Sequence, residues 1–499
     1  MGVFDDNYLL DKAIVQPSNT SPLSHVYISS INARIENYLY TSLHRSIRLE
    51  RKERNKKKIM AKMILALFLL LMTDWIGAKT LYNLSLRATA DTDCKKIQED
   101  VKIYLSVSSL AWVNNSIITR RQIELNWDVK NPKPKDAVAL FDSPPVEHIN
   151  PLQIVYVANQ STGYYRTKYE LPYMNFTKDN ITGGCLNYYI AYITDGKITH
   201  LNCLKTRPRW MNLNQKYIRN LSLNELMIPG THDSGSYATF PYDGGIGSIT
   251  SRFVYAQEER IFNQLAYGIR YFDLRVAHVD NQFMIKHDII ITTNTLEEVL
   301  ADVLDFVETT KEIVILDFHR HPDYEKIQVE LINFIKNKLN PYLIPKREQV
   351  EDRRYPEQPL SDFSNFNQAK ISDPKLWPSL CQIWPDVQKV EDLKEFFSAF
   401  YNRSEVPPFL WSAMAELTPD MTYIFEHVHK GLRVLADDVN RNVTHWFRDK
   451  WGKFSNIVAT DYFLGNDIIA VAIDINRKKK CESRKPPAED VSTFSCSPQ

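Results

Sequence analysis

The sequence predicts an α/β fold, a distorted (β/α)8 TIM-type barrel, preceded by an all-β sandwich-like domain. Two patterns carry this prediction. β-Branched and aromatic runs separated by turn residues follow one another from residue 80, and strand-like runs alternate with helix-like runs from residue 215. Alternation of strands and helices is typical of a parallel sheet covered by helices, and a length of about 250 residues suits a closed barrel.

The first β-rich segment is predicted over residues 80–208. It contains runs such as VKIYLSVSSLAWV, QIELNWDV and LNYYIAYIT, with Pro-rich connections between them. Short runs of this kind favour a β-sandwich. Because the segment shows no combination of residues typical of catalysis, we expect it to have a structural or adhesive role. The motif TRPRW marks its end.

The barrel is predicted over residues 215–476. The predicted strands are NELMIPG, GIRYFDLRVA, FMIKHDI, EIVILDF, PFLWSAMA and NIVATDYF. Apolar residues recur at spacings of three and four, which predicts helices, in RFVYAQEERIFNQLAYG, TLEEVLADVLDFVETT, YEKIQVELINFIKNKL, KVEDLKEFFSAF and NVTHWFRDKW. The polar tail, residues 477–499, is predicted to be disordered.

The N-terminal region carries a targeting signal. The chain has 61 Lys and Arg against 60 Asp and Glu, so no overall field favours nucleic acid, but RSIRLERKERNKKK is densely basic. The apolar run Met63–Met72 that follows is too short to span a bilayer, which needs about 20 apolar residues. We therefore predict a signal peptide at residues 60–78 after a basic extension, residues 1–59, that is absent from the mature protein. A signal anchor is the alternative.

Two further features favour a secreted or lumenal, extracellular location. Asn-x-Ser/Thr sequons, which accept N-glycans, begin at Asn83, Asn114, Asn159, Asn175, Asn180, Asn220, Asn402 and Asn442. The six cysteines form an even set without a CxxC pair, and in an oxidising compartment some would be disulfide-bonded. Cys185 and Cys203 are the pair expected first.

Titratable residues fall at the ends of the predicted strands, where the active site of a barrel lies. These residues are His232, Asp233, Asp273, Arg275, His287, Asp317, His319, Arg320 and Asp461. If the fold is right, their side chains converge on one rim.

Two histidines and an arginine at one rim favour acid–base attack on a phosphodiester. One imidazole removes a proton from an attacking hydroxyl and the other protonates the leaving alcohol, since histidine titrates near neutral pH. A guanidinium donates to phosphate oxygens, and a carboxylate can fix a histidine tautomer. Taken singly, a strand-end histidine is more often a turn residue, Arg275 could form a rim ion pair with Asp273, and Asp461 could be a helix N-cap.

The motifs IPGTHDSGSYA, QLAYGIRYFDLRVAH, FMIKHDI, EIVILDFHRH and NIVATDYFLGND occur in this order. In combination they resemble the phosphatidylinositol-specific phospholipase C X domain, especially its X-domain-only branch and the bacterial enzymes. The resemblance runs from about Leu221 to Arg320 and resumes at NIVATDYFLGND. LWPSLCQIWPDV and WSAMAELTP also look like the X-domain-only branch.

The resemblance implies a role for each central residue. His232 matches the general base that deprotonates the inositol 2-hydroxyl, whose oxygen then attacks phosphorus and forms a cyclic phosphate. Asp461 matches the carboxylate that orients this base. His287 matches the general acid that protonates the departing diacylglycerol oxygen. Asp233 matches the acidic partner that assists the leaving group together with Arg275.

Three further residues are expected on the substrate side of the site. Asp273, two positions before the arginine, is expected to position the substrate. His319 and Arg320 stand where bacterial relatives place a basic residue, so the exact headgroup stays open between phosphatidylinositol and a glycosylphosphatidylinositol anchor. Asp288 stands after His287 where a glycine is frequent in the family.

The resemblance also implies that no metal or other cofactor is required. In the calcium-dependent branch the rim carries acidic ligands, and Asn follows the first histidine. Here Asp233 follows it and Arg275 occupies a ligand position. A fixed guanidinium can supply the positive charge that an ion would bring to the phosphate.

The expected partners are a phospholipid or other phosphodiester and, transiently, a membrane surface, with no nucleic acid. Trp377, Trp384 and Trp411 are candidate interfacial aromatics or core residues. A protein partner of the β-domain is not identified by the sequence. Two other functions stay open: a catalytically silent secreted binding protein with the same barrel, and a metal-dependent glycerophosphodiesterase-like or sphingomyelinase D-like barrel enzyme.

Overall fold

The computed structural model describes residues 100–114, 117–145, 150–238, 248–319, 324–344, 362–364, 377 and 380–479. The predicted basic extension, signal peptide and almost all of the C-terminal tail lie outside the described residues. The chain divides into two compact units, Met1–Ala88 and Thr89–Gln499, and all the described residues belong to the second. In this part of the chain, no helix combines the length and apolar character needed to cross a bilayer.

The β-rich segment contains nine strands within its described residues. They are β1 Val101–Val107, β2 Ala111–Asn114, β3 Ile117–Arg120, β4 Gln122–Val129, β5 Ala137–Phe141, β6 Gln153–Tyr156, β7 Thr162–Glu170, β8 Gly184–Thr194 and β9 Lys197–Thr206. They form antiparallel sheets in the orders β1-β4-β7 and β6-β5-β8-β9, and a β2-β3 hairpin. Buried side chains from both sheets, such as Leu125 and Val138, belong to one hydrophobic cluster. The separate sandwich-like domain at residues 80–208 stays a prediction.

A disulfide joins Cys185 on β8 to Cys203 on β9. This is the pair that the sequence favoured. The two Cα atoms are 5.6 Å apart, within the range that a disulfide spans. Cys381 is also disulfide-bonded.

Ten further strands follow in the described residues. They are β10 Ile228–Thr231, β11 Tyr271–Leu274, β12 Val276–Val279, β13 Gln282–His287, β14 Ile290–Thr295, β15 Ile315–Phe318, β16 Asp362–Ser364, β17 Cys381–Ile383, β18 Trp411–Met414 and β19 Ile457–Thr460. Seven of them form a parallel sheet in the order β16-β15-β11-β10-β19-β18-β17. In the described part of the chain β16 and β17 end this sheet, so the expected distorted (β/α)8 barrel is confirmed as a mixed α/β fold with a seven-stranded half-barrel sheet.

The run FMIKHDI does not belong to the parallel sheet, and its predicted place in the strand–helix alternation was wrong. It forms β13, the middle strand of an antiparallel sheet with β12 and β14. Asp280 and Asn281 connect β12 to β13 with φ angles of 48° and 62°. Two consecutive residues at positive φ make the type of turn that closes a tight hairpin, and Asp and Asn tolerate it.

The helices are α1 Trp210–Leu213, α2 Gln215–Ile218, α3 Ile249–Val254, α4 Ile261–Tyr267, α5 Leu296–Thr310, α6 Tyr324–Leu339, α7 Val390–Tyr401, α8 Met421–Glu426, α9 Leu432–Trp446 and α10 Ile468–Lys478. The helices predicted in the runs of α5, α6 and α7 are confirmed. A capping box begins α5: Thr295 Oγ1 accepts from Glu298 N, and Glu298 Oε2 accepts from Thr295 N.

The run RFVYAQEERIFNQLAYG forms two short helices, α3 and α4, where one was expected. The break contains Gln257, which is fully buried. Its Nε2 donates to the carbonyl oxygens of His232 and Thr460, at 2.9 Å each. The side chain therefore crosses to the ends of β10 and β19, and this tertiary contact outweighs the helical pattern.

A buried ion pair attaches residues 208–212, which precede the parallel sheet, to the segments that lead into β11 and β15. The guanidinium of Arg270 lies 2.9 Å from Glu312 Oε2, with both side chains fully buried. Arg270 also donates to the carbonyl oxygens of Pro208 and Leu265. Glu312 accepts from Asn212 N at 2.8 Å. Every charge in this cluster has a partner, so the cluster tolerates burial.

Glu312→Gln is expected to lower the free energy of unfolding by about 3–5 kcal/mol, because it leaves the buried guanidinium of Arg270 without a counter-charge. Urea denaturation followed by circular dichroism measures this change. The matched control is Glu297→Gln on the exposed face of α5, where the pair with Lys338 lies in solvent and the change should stay below about 1 kcal/mol. Equal effects of the two substitutions would contradict the assignment.

Candidate active site

The register of the parallel sheet places titratable side chains in one row. β10 pairs with β11 and with β19, β11 pairs with β15, and β18 pairs with β19. Extending these pairings by one or two residues gives one level of the sheet, which holds Asp317, Asp273, His232, Asp461 and Glu416. Because side chains alternate along each strand, residues at one level of a parallel sheet share a face. The strand ends thus supply a single row of acid and base groups.

His232 is fixed at both its backbone and its ring. Its amide nitrogen donates to Thr460 O at 3.1 Å, and its ring Nδ1 lies 2.9 Å from Oδ1 of Asp461. A carboxylate only accepts, so Nδ1 carries the proton of this bond. Asp461 does not cap the following helix, because the N-cap position of α10 is Asp467. The N-cap alternative for Asp461 was therefore wrong.

Arg275 is buried and contacts three residues of the site. Its Nε lies 2.8 Å from Asp233 Oδ1, and its Nη2 lies 3.2 Å from Asp273 Oδ2 and 2.7 Å from Nε2 of His232. Burial alone would lower the pKa of Arg275, but Asp233 and Asp273 outweigh it and raise this pKa. Burial would likewise raise the pKa of Asp273, and Arg275 with His232 holds it below its usual range.

The protonation of His232 depends on Arg275. An arginine nitrogen only donates, so the 2.7 Å contact requires a lone pair on Nε2 and describes the neutral imidazole. Burial also favours the neutral form, but Glu416, Asp233 and Asp461 outweigh it and raise the pKa of His232 to about 10. Uptake of a proton at Nε2 must therefore separate this atom from Arg275. The neighbouring carboxylates favour protonation of His232, and the contact with Arg275 holds the ring in its neutral form until that contact is broken.

His287 comes from the antiparallel sheet, at the end of β13. Its Nδ1 lies 2.5 Å from the carbonyl oxygen of Val254, and its Nε2 lies 3.3 Å from Asp233 Oδ2. The same Asp233 oxygen is 3.4 Å from Nε2 of His232, and the two imidazole centroids are 6.5 Å apart. Asp233 thus lies between the two histidines.

Two turn residues of the site have left-handed backbone conformations. Asp233 has φ 41° and Asp288 has φ 48°. Positive φ is costly for most residues, although Asp and Asn adopt it more readily than others.

His319 pairs with Asp317, the residue at one end of the row. Its Nε2 lies 2.9 Å from Asp317 Oδ2. Tyr271 donates its hydroxyl to the same oxygen at 2.6 Å. Burial opposes the charged imidazole, but Asp317 outweighs this effect and raises the pKa of His319.

The ring of Tyr271 lies against Gly230. A Cβ atom added at Gly230 would lie 2.5 Å from Cδ1 of Tyr271. Arg320 lies outside the described residues.

Sequence reasoning missed Glu416. This residue lies two positions after the buried β18 and directly follows the predicted strand PFLWSAMA, so the strand-end test that selected the other residues would have found it. Trp384 was considered only as an interfacial or core aromatic. Its ring centroid lies 5.9 Å from that of His232 and 5.7 Å from the guanidinium of Arg275, so it packs beside the site. Trp411 is buried in the core.

The site offers ligand atoms for a cation, but a guanidinium lies among them. One atom each of His232, Asp233 and Asp273 lie within 4.8 Å of one another. Arg275 contacts all three residues at 2.7–3.2 Å. Ca²⁺ takes six to eight oxygen ligands, and a fixed positive charge in the same place opposes its binding. The residues present therefore do not fit a calcium ion.

The fold and the site define the class as an α/β protein with a parallel half-barrel and a candidate acid–base site at its strand ends. Residues 249–361 match the family model for the phosphatidylinositol-specific phospholipase C X domain. Human PI-PLC X domain-containing protein 1 is 22% identical over 311 residues, which cover 56% of this chain and 95% of that protein. PI-PLC X domain-containing protein 3 of Mus musculus is 25% identical over 301 residues, which cover 54% and 92%.

Among solved structures, the phosphatidylinositol-specific phospholipase C from Listeria monocytogenes covers 54% of this chain and 98% of its own, with 21% identity and a TM-score of 0.41. The predicted resemblance is confirmed: residues 249–361 match the X domain, and the chain is similar to PI-PLC X domain-containing proteins. The segment matched by the family model includes Arg275 and His287. His232 precedes it, and Glu416 and Asp461 follow it.

Asp461→Asn is expected to lower the pKa of His232 below its value of about 10, because Asp461 is one of the carboxylates that favour the charged imidazole. NMR titration of the protein labelled with ¹⁵N-histidine measures this pKa. Glu330→Gln on the exposed face of α6 is the control and should leave it unchanged. An unchanged pKa in Asp461→Asn would show that the hydrogen bond to Asp461 does not favour the protonated ring.

Proposed function

We propose that this protein is a phosphoric diester hydrolase of phospholipase C type that cleaves phosphatidylinositol-like or glycosylphosphatidylinositol-like phosphodiesters. The family relationship supports a phospholipase C-type phosphodiesterase in general terms. The observation that carries the finer proposal is the arrangement of His232 and His287 on either side of Asp233, with Arg275 on the same carboxylate. This set holds a base, an acid and a phosphate-binding cation.

The first step of the proposed reaction starts from the contact between Arg275 and His232. A substrate phosphate offers Nη2 of Arg275 a charged acceptor, and this frees Nε2 of His232. His232 then takes the proton of a headgroup hydroxyl next to the phosphate, and the oxygen attacks phosphorus. Asp461 stabilises the imidazolium that results. The cyclic phosphate results when the bond from phosphorus to the leaving oxygen breaks.

The second proton transfer is assigned to His287. As the bond between phosphorus and the diacylglycerol oxygen breaks, Nε2 of His287 gives its proton to that oxygen. Nδ1 of His287 faces the carbonyl oxygen of Val254, and Nε2 faces Asp233, which holds the proton toward the leaving group. Arg275 offsets the negative charge on the phosphate oxygens, so the proposed reaction needs no metal ion.

His232→Ala and His287→Ala are each expected to lower kcat/KM by about 10²–10⁴-fold, the usual contribution of a general acid or base. The assay follows the release of inositol phosphate from phosphatidylinositol vesicles in the presence of EDTA. His200→Ala, an exposed histidine on β9, is the matched control and should retain full activity.

The alternatives give different results in this assay. Activity abolished by EDTA would show that Arg275 does not replace a metal ion, and it would favour a metal-dependent glycerophosphodiesterase-like enzyme. A folded protein without turnover on phosphatidylinositol or an anchored protein would favour the catalytically silent binding protein.

We further propose transient contact with a membrane surface. Apolar side chains are exposed on connections that follow the carboxyl ends of site strands. Ile289 in the turn after β13 is 91% exposed, and Met421 and Phe425 on α8, between β18 and β19, are 64% and 74% exposed. A substrate that stays in a bilayer requires such a contact.

Phe425→Ser is expected to weaken binding to phosphatidylinositol vesicles by about tenfold or more, because a phenylalanine side chain that enters an apolar phase contributes about 1.5–3 kcal/mol. Vesicle co-sedimentation measures the binding. The control is Val329→Ser on α6, another exposed apolar residue, which is 54% exposed. If both variants bind like the wild type, α8 is not part of the contact.

An exported, glycosylated form stays part of the proposal. The sequon asparagines Asn114, Asn159, Asn175, Asn180, Asn220 and Asn402 are exposed, as glycan acceptors must be. The disulfide between Cys185 and Cys203 suits an oxidising compartment.

A further inference from the structure

Glu416 has a buried carboxyl group that the proposed reaction does not use. The residue is 1% exposed, and within the described part of the chain neither carboxyl oxygen has a hydrogen-bond partner. A buried polar group without a partner destabilises a fold. The fold therefore does not account for this side chain, and a ligand group would satisfy it.

The position of Glu416 places it in the row of titratable side chains at the strand ends. The register Met414↔Ala459 places it beside Asp461, on the same face of the sheet as His232. The charged groups that act on it come from three neighbouring strands: His232 after β10, Asp461 after β19 and Asp273 on β11. Glu416 thus lies on the side of Asp461 opposite to His232, one strand farther along the row.

The chemistry of Glu416 selects the ligand class. Burial raises its pKa to about 8, and a charged His232 would lower it. While Arg275 holds His232 in its neutral form, the carboxyl group therefore keeps its proton at neutral pH and presents one donor and one acceptor. A hydroxyl group also presents a donor and an acceptor and can satisfy both. A quaternary ammonium headgroup has no donor, and it would require the ionised carboxylate.

We propose that Glu416 is a specificity residue that hydrogen-bonds to a hydroxyl group of a polyhydroxylated headgroup, next to the hydroxyl that His232 deprotonates. This inference rests on the proposed function. It assigns the recognition of the polyol ring to the end of β18, on the far side of Asp461 from Arg275.

The test compares Glu416→Gln with Glu416→Leu. Glutamine keeps a donor and an acceptor, whereas leucine removes both at similar volume. Glu416→Leu is expected to raise KM for phosphatidylinositol vesicles, and the dissociation constant for free myo-inositol measured by calorimetry, by about tenfold. Glu416→Gln should stay within about threefold of the wild type on both measurements.

A fold control accompanies both variants. Because Glu416 makes no hydrogen bond in the described structure, the melting temperature of each variant should equal or exceed that of the wild type. Glu330→Leu on the exposed face of α6 is the matched control and should change neither KM nor inositol binding.

The outcomes separate this inference from the proposed function. Turnover or inositol binding by Glu416→Leu at wild-type strength would overturn the inference. Equal impairment of both variants would also overturn it, because glutamine keeps the donor and the acceptor and lacks only the ionisable group. A wild type that binds myo-inositol but does not turn over phosphatidylinositol, with binding weakened only in Glu416→Leu, would support the inference while the proposed reaction fails.

Discussion

The buried guanidinium of Arg275 is the charge on which the rest of the site depends. Asp233 and Asp273 are almost completely excluded from water, and two isolated anions in such a place would cost several kcal/mol each. Arg275 offsets both charges through contacts of 2.8 and 3.2 Å. Asp233 then lies between the two histidines, and Asp273 accepts from the amide of Asp233. The left-handed residue in the turn after β10, Asp233, therefore has its side chain held by a cation at the end of the neighbouring strand β11.

Two kinds of sheet contribute to the site, and each fixes a different group. The parallel sheet aligns His232 and Asp461 through pairing of β10 with β19. The antiparallel sheet carries His287 on β13. The ring of His287 contacts the carbonyl oxygen of Val254 and the carboxylate of Asp233, which follows β10. Groups on regular strands are held more firmly than groups on long loops. The distance between the two imidazoles is thus set by how the two sheets pack.

The strand-end argument from sequence located most of the site because buried strands followed by polar residues are visible locally. His232, Arg275 and Asp461 all lie together in the structure, as that argument required. What sequence could not provide was register. The pairing of Met414 with Ala459 joins residues that are 45 positions apart, so nothing local indicates that Glu416 lies beside Asp461.

The fold was predictable where local signals and long-range contacts agree, and not where they conflict. The capping box of α5 is readable in the sequence, and its helix forms as expected. The helical pattern around Gln257 is also readable, but the contacts of its side chain with the ends of β10 and β19 break the helix. The Asp280-Asn281 turn was a local signal for a hairpin, and it was overlooked because the alternation of strands and helices favoured a parallel strand.

The packing of Tyr271 against Gly230 has a consequence for how this sequence can diverge. The glycine is needed for space and not for an unusual backbone angle, since the ring fills the volume that a Cβ would take. A lineage that keeps the tyrosine at position 271 must therefore keep the glycine at position 230. A lineage that loses the ring can accept a larger residue at position 230. Neither residue is a candidate acid or base. Relatives that keep the hydrogen bond from the tyrosine hydroxyl to Asp317 should nevertheless also keep the glycine.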